Sequence, residues 1–107
     1  MMDQAHDHLA WLTRWYAAQC DGDWEHSFGV EIQTLDNPGW ALRIDLTGTD
    51  LAGRPFQTIA DNLEASDGNP AVSWRHCKVD NGKFEGYGGA HSLTTLISTF
   101  REWAERT

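Results

Sequence analysis

The most chemically capable stretch of this chain is residues 19–26, which read Gln-Cys-Asp-Gly-Asp-Trp-Glu-His. Carboxylates and imidazoles bind divalent metals and also act as general acids and bases. Asp21-Gly22 is in addition a turn signal, because Gly adopts positive φ without strain and Asp hydrogen-bonds the neighbouring backbone. The run is therefore either a functional site or a polar corner between a helix and the next strand. Its functional side chains are those of Cys20, Asp21, Asp23, Trp24, Glu25 and His26.

The spacing within this run matches no recognised metal-ligand pattern. It is neither an EF-hand loop, nor His-Glu-x-x-His, nor a paired Cys-x-x-Cys. If residues 24–26 begin a strand, Glu25 and His26 point to opposite faces, which weakens them as joint ligands. Cys20 lies beside two acids at a helix C-terminus, where negative potential disfavours a reactive thiolate. We expect no metal, no cofactor and no catalytic residue. A small metal-dependent hydrolase or a ligand-binding domain built on residues 21–26 is the alternative.

Size and composition predict a single domain spanning residues 1–107. The first eight residues lack the apolar segment of a signal peptide. No apolar run reaches the ~18 residues that a membrane span needs. Two cysteines are too few for a disulfide framework. We therefore expect a soluble cytoplasmic protein with reduced thiols.

The net charge of −8 is unevenly distributed along the chain. Residues 1–36 carry seven acids against Arg14 alone, a balance of −6, and the remainder carries −2. This distribution disfavours nucleic-acid binding, which needs clustered Lys and Arg, and suits a basic protein partner. The alternative is an acidic surface that only aids solubility. The acids predicted to meet a partner are Asp21, Asp23, Glu25 and Asp36.

Hydrophobic periodicity predicts a helix over residues 3–19, with Asp3 as its N-cap, and another over residues 92–105, with Ser92 as its N-cap. Two β-hairpins lie between them, one around the turn at residues 36–39 and one around Asn81-Gly82. Residues 56–63 predict a further strand. The expected fold is α+β: an N-terminal helix, an antiparallel four- to five-stranded meander and a C-terminal helix, with the helices packed on one sheet face.

Alternation of apolar and polar residues predicts the register of both hairpins. In the first, Thr34 lies opposite Trp40, which places Phe28 opposite Leu46 and Glu31 opposite Arg43. In the second, the predicted pairs are Asp80 with Lys83, Val79 with Phe84, Lys78 with Glu85, Cys77 with Gly86, and His76 with Tyr87.

One face of the second hairpin is unusually aromatic. Cys77, Val79 and Phe84 occupy the core side, which leaves Trp74, His76 and Tyr87 on a face that we expect to be wet. Exposed aromatic residues are typical of protein interfaces, since they bury a large area at low entropic cost. We therefore predict that these three residues contact a partner. Coverage by the loop at residues 66–70 is the alternative.

Several sequence words, taken in order, carry a resemblance to a known family. They are Trp11-Leu12-x-x-Trp15-Tyr16-x-x-Gln19-Cys20-Asp21-Gly22-Asp23-Trp24-Glu25-His26, Gly29-Val30, Thr34-Leu35-Asp36-Asn37-Pro38-Gly39-Trp40, Ile44-Asp45-Leu46-x-Gly48-Thr49 and Phe84-x-Gly86-x-Gly88-Gly89. Together they resemble the bacterial immunity protein 53 family over nearly the whole chain, residues 58–72 excepted.

Proteins of that family are regarded as antidotes in polymorphic toxin systems, encoded beside the toxin that they counter. The resemblance implies a non-catalytic inhibitor, and so not an enzyme, that binds a cognate toxin. Many such toxins are nucleases with basic surfaces, in keeping with the acidic N-terminal third. No contact residue is carried over from the family. We expect a monomer or a weak dimer.

Overall fold

The computed structural model describes residues 7–63 and 73–106, and it confirms the predicted α+β architecture. Within these residues, no helix is both long and apolar enough to cross a membrane. The helices are α1 (His8–Gln19), α2 (Trp24–Ser27) and α3 (Leu93–Glu105), and the strands are β1 (Val30–Leu35), β2 (Gly39–Asp45), β3 (Ile59–Asp61), β4 (Arg75–Asp80) and β5 (Lys83–Gly88).

The described strands form one antiparallel sheet in the order β1-β2-β5-β4-β3. The order differs from a simple meander in one respect: β2 pairs with β5, and β3 lies at the far edge. A central strand must carry side chains that can be fully covered. Strand β5 supplies the fully buried Phe84, whereas β3 has three residues that are partly or fully exposed.

Both predicted hairpin registers are confirmed. Thr34 lies opposite Trp40, Glu31 lies opposite Arg43, and every predicted pair of the second hairpin is present. Asn81 and Gly82 have φ of 52° and 75°, as a type I′ turn requires. The pairing of Phe28 with Leu46 is wrong, because residues 24–27 form α2 and β1 begins only at Val30.

The helix and strand boundaries differ from the sequence predictions at several ends. Helix α1 begins at His8 and is capped by Asp7, whose Oδ1 accepts a hydrogen bond from the N–H of Ala10 at 3.0 Å. The predicted cap, Asp3, lies outside the described residues. Helix α3 follows Ser92 as predicted, although the Ser92 side chain makes no cap hydrogen bond. Strand β3 is shorter than the predicted strand over residues 56–63.

The core lies between the helices and one face of the sheet. Helix α3 contacts β2 and β5, and α1 packs mainly against α3. Both helices therefore lie on the same sheet face, as predicted. Burial also raises the pKa of the Cys77 thiol to about 11, in keeping with its predicted place in the core. The core cluster comprises Leu12, Leu42, Ile44, Leu46, Leu51, Cys77, Phe84, Leu96, Ile97, Phe100 and Trp103.

Two glycines of β5 allow α3 to approach the sheet closely. A Cβ added at Gly88 would lie 2.9 Å from the Cβ of Ser92 and 3.2 Å from the carbonyl oxygen of Trp74. A Cβ at Gly86 would lie 3.4 Å from a methyl group of Leu96. Because Ser92 and the Trp74 backbone are not flexible side-chain ends, the packing of α3 requires the absence of a side chain at Gly88.

We predict that Gly88→Ala lowers the free energy of unfolding by about 1–3 kcal/mol, because the new methyl group overpacks the α3 contact. Gly29→Ala is the matched control, since a Cβ there meets no atom within 4 Å and Gly29 has no left-handed φ. Its effect should stay within about 0.5 kcal/mol. Urea denaturation of both variants measures the difference, and equal stabilities would contradict the proposed close packing.

Candidate partner-binding surfaces

Residues 20–28 form the N-terminal corner between α1 and β1, and two carboxylates hold its backbone in place. Asp21 Oδ1 accepts hydrogen bonds from the N–H groups of Asp23 at 3.0 Å and Trp24 at 2.9 Å. The two carboxylate oxygens of Glu25 accept from the N–H groups of Asp21 at 3.0 Å and Gly22 at 2.9 Å. The exchange resembles a capping box, in which side chains satisfy the free backbone donors at the start of a helix. Asp21 and Glu25 thus fix the turn between α1 and α2.

Trp24 anchors this corner to the rest of the molecule. Trp24 is buried, with 7% of its surface exposed, and its Nε1–H donates to the carbonyl oxygen of Thr47 at 2.8 Å. Its ring lies 6.0–6.3 Å from the rings of Trp15, Tyr16 and Phe28. The aromatic contacts hold α2 against the C-terminal half of α1. The corner is therefore rigid scaffold whose carboxylates remain on the surface.

The hydrogen bonds at the corner keep its carboxylates ionised. The N–H groups of Trp24 and then Asp23 hold the pKa of Asp21 below its ordinary value of 3.8. The pKa of Glu25 lies below its ordinary 4.5, first because of its own backbone N–H and then because of those of Asp21 and Gly22. Both groups carry full negative charge at neutral pH.

We predict that acid weakens the fold partly through Asp21. A carboxyl group whose pKa is lower in the folded than in the unfolded chain stabilises the fold fully above its unfolded value, here 3.8. That contribution is lost as the pH falls from there through the lower folded value. Asp21→Asn keeps an oxygen acceptor but cannot titrate, so its stability should fall less steeply between about pH 5 and pH 2.5. Urea denaturation across this range measures it, and parallel curves would exclude Asp21 as a contributor.

Two observations at the corner concern the alternative functions suggested by residues 21–26. In the part of the chain that the structure describes, no three His, Cys, Asp or Glu side chains are arranged to hold a metal ion. A shallow cavity of about 270 Å³ does lie beside Trp24. Trp40 lies away from this cavity, because its Nε1–H donates to the carbonyl oxygen of Ala90 at the opposite end of β2. The cavity is lined by Asp21, Asp23, Trp24, Ser27, Phe28 and Gly48.

On the sheet face opposite the helices, termed the outer face, most charged side chains form ion pairs with one another. Arg43 pairs with Glu31 at 3.1 Å and Lys83 with Asp45 at 2.6 Å. Lys78 lies 4.0 Å from Glu85. Three acids and three bases therefore cancel, and the exposed Asp80 lies outside these three ion pairs. The outer face includes Glu31, Gln33, Ala41, Arg43, Asp45, His76, Lys78, Asp80, Lys83, Glu85 and Tyr87.

The structure places His76 and Tyr87 side by side near the middle of this outer face. They are directly opposed in the β4–β5 register, and their ring centroids lie 6.4 Å apart. The Tyr87 hydroxyl donates to Glu85 Oε1 at 3.0 Å, and the Arg43 guanidinium lies 5.5 Å from the Tyr87 ring centroid. Both aromatic side chains are half-buried and retain surface for a partner.

Trp74 is not the exposed anchor that the sequence predicts. Only 7% of the surface of this residue is exposed, so its expected position on a wet face is wrong. It precedes β4, where its carbonyl oxygen accepts the N–H of Gly89 at 3.4 Å, and among the described residues it is not part of the main core cluster. A ring of this size is buried because apolar area is removed from water wherever neighbouring segments can cover it. The loop at residues 66–70, which the sequence analysis gave as the alternative cover, lies outside the described residues.

We predict that Trp74→Ala lowers the free energy of unfolding by about 3–5 kcal/mol, as for other buried tryptophans. His76→Ala, on the same hairpin but half-buried, should cost about 1 kcal/mol or less. Thermal and urea denaturation of the two variants compare them directly. If the Trp74 variant were as stable as the His76 variant, the burial of the Trp74 side chain would be contradicted.

The seven residues predicted to contact a partner do not form one cluster. Asp21, Asp23 and Glu25 lie at the corner, just before β1 begins. Asp36 lies in the turn after β1, about 20 Å away for six residues at roughly 3.3 Å each. His76 and Tyr87 lie between these ends on the outer face. Sequence reasoning did not single out β1, the strand between the two acidic ends, although β1 is an edge strand in the predicted meander as well as in the structure.

One comparison with known proteins identifies a family. The family model of immunity protein 53 matches residues 9–105, from the second residue of α1 to the last residue of α3. The chain thus belongs to the immunity protein 53 family, and an immunity function follows from that membership. No curated protein and no solved structure matches the chain.

Proposed function

We propose that this chain protects a bacterial cell by binding a cognate protein toxin and blocking it without catalysis. The main support for this proposal is the membership of the immunity protein 53 family, because that membership indicates an immunity function. The proposed toxin is a basic protein of the nuclease type, and this chain binds it in the cytoplasm. Neither nucleic acid nor membrane is proposed as a direct partner. The inhibitor acts as a monomer or weak dimer.

The distribution of unpaired charge supports a basic partner. Within residues 7–63 and 73–106, Asp21, Asp23 and Asp36 are exposed and take part in no ion pair. A nuclease must attract phosphates, so its substrate-binding surface is positive. Exposed acids on the inhibitor would meet that surface with complementary potential, which speeds association and orients the two proteins.

The aromatic pair on the outer face supports a second contact. His76 and Tyr87 present half-buried rings among side chains whose charges already cancel. Tyrosine is enriched at interfaces because its ring packs while its hydroxyl stays hydrogen-bonded. We propose that these two residues, and not Trp74, supply the aromatic contact with the toxin.

Titration of the toxin tests the proposed function. The probe is the toxin-like protein encoded next to this chain, assayed for its activity in the presence of increasing amounts of the purified chain. A non-catalytic inhibitor should abolish activity at one chain per toxin and should co-purify with it. Loss of activity at far lower ratios would indicate enzymatic inactivation instead. No protection of cells that express the toxin would contradict the immunity proposal.

We predict that Asp23→Asn slows association with this toxin about two- to fivefold at low salt, with the difference shrinking near physiological salt as charges are screened. Asp23 suits this test because its side chain makes no cap hydrogen bond. Glu102→Gln on α3 is the matched control: it also removes one exposed charge but borders a cavity beside β3, at the other edge of the sheet. Stopped-flow association rates compare the two. Equal slowing by both variants would assign the effect to net charge and not to the corner.

A further inference from the structure

Strand β1 is a long and unprotected sheet edge. In the described part of the chain it pairs with β2 alone, over six consecutive residue pairs without a bulge. Proteins usually protect such edges with short strands, Lys, Pro or bulges, because unpaired N–H and C=O groups bind other strands. The sequence of β1, Val-Glu-Ile-Gln-Thr-Leu, contains neither Lys nor Pro. The opposite edge strand, β3, is by contrast three residues long.

The hydrogen-bond pattern shows which backbone groups face this free edge. The Asp45 N–H donates to the Gly29 carbonyl oxygen at 3.0 Å, so Gly29 and Asp45 form a hydrogen-bonded pair. Such pairs alternate along an antiparallel ladder, and therefore the odd-numbered residues of β1 bond to β2. The N–H and C=O groups of Val30, Ile32 and Thr34 consequently point away from the sheet, where an added strand would bind.

The side chains along β1 define what kind of strand fits. Val30, Ile32 and Thr34 lie on the helix side of the sheet, where Ile32 is 40% exposed although its cross-strand neighbour Leu42 is fully buried. Glu31 and Gln33 lie on the outer face, and the Glu31 side chain is 64% exposed. An incoming strand that alternates apolar with basic residues would pack on Ile32 and face Glu31.

The charges at both ends of β1 favour one kind of added strand over another. Asp21 and Asp23 lie before its first residue, and Asp36 follows its last. Two copies of this chain pairing antiparallel through β1 would bring the corner of each against Asp36 of the other. Like charges at both ends would oppose that dimer, whereas a basic strand would be attracted at both ends.

We propose that β1 is the toxin-docking edge and that it adds an extended basic segment of the toxin to the sheet by backbone pairing. This proposal rests on the proposed function and names the site through which the toxin is bound. Backbone pairing supplies affinity in this mode, and alternate side chains supply specificity. The acids at the two ends of β1 and His76 with Tyr87 then border a single contact region.

Ile32→Pro tests the docking edge with the adjacent-gene toxin. Proline at this position removes the outward N–H but no hydrogen bond to β2, a placement that edge strands tolerate. Affinity should fall about 30-fold or more, because an acceptor on the toxin is left unpaired and the ring obstructs pairing. Ile32→Ala is the matched control that keeps the N–H, and it should lose less than about tenfold. Equal affinity of the proline variant and the original chain would overturn the proposal.

Amide hydrogen exchange gives an independent readout that does not depend on the folding of the proline variant. In the free chain the amides of Val30, Ile32 and Thr34 should exchange fast, and in the toxin complex they should become protected. A complex that forms while these amides stay unprotected would contradict edge docking yet leave the immunity function intact. Failure of the toxin to bind at all would contradict the proposed function itself. Sedimentation showing a dimer of the free chain that Ile32→Pro dissociates would assign the edge to a second copy.

Discussion

The position of the Phe100 ring is the constraint on which the packing of both layers depends. Its centroid lies 5.8 Å and 5.1 Å from those of Trp11 and Trp15 on α1, 5.2 Å from Phe84 on β5 and 6.1 Å from Trp103 on its own helix. Edge-on aromatic contacts of this kind add to the stabilisation from buried area. One fully buried side chain thus joins α1, α3 and the sheet. The glycines of β5 serve the same arrangement, since they bring α3 close enough for Phe100 to contact Phe84.

The sequence predicted those features of the fold that depend on residues close together in the chain. Both hairpin registers follow from period-two alternation and from turn residues, and the Asn81-Gly82 turn leaves little choice of pairing. The β2–β5 pairing joins residues about forty positions apart and carries no local signal, so the strand order departed from a meander. Helix α2 has four residues, fewer than periodicity can resolve. The burial of Trp74 depends on segments outside its own hairpin. The alternation of residues within one hairpin does not show which other segments will cover each face.

Some charged side chains on the surface form ion pairs within the fold, and others, among the described residues, carry a charge that no ion pair neutralises. On the outer face, the ion pairs of Arg43, Lys78 and Lys83 cancel the carboxylates beside them. At the corner, the carboxylates of Asp21 and Glu25 accept backbone hydrogen bonds but meet no cation at ion-pair distance within the described residues. Because these carboxylates are held by backbone donors, the corner combines a fixed shape with uncompensated negative charge. A binding surface of this kind loses little side-chain entropy when a partner arrives.

The large share of the core that α3 supplies has a consequence for the stability of the sheet. The thirteen residues of α3 contribute four large side chains to the core, and two basic residues secure it: Arg54 donates to the carbonyl oxygens of Trp103, Ala104 and Arg106, and Arg75 donates to Thr99. Without α3, the helix side of the sheet loses most of its cover, and the central strands expose much of their apolar face to water. The two hairpins therefore depend on α3 for a stable arrangement, although their registers are set locally. A contact that loosens α3 would weaken the sheet that presents β1, even at a distance from β1 itself.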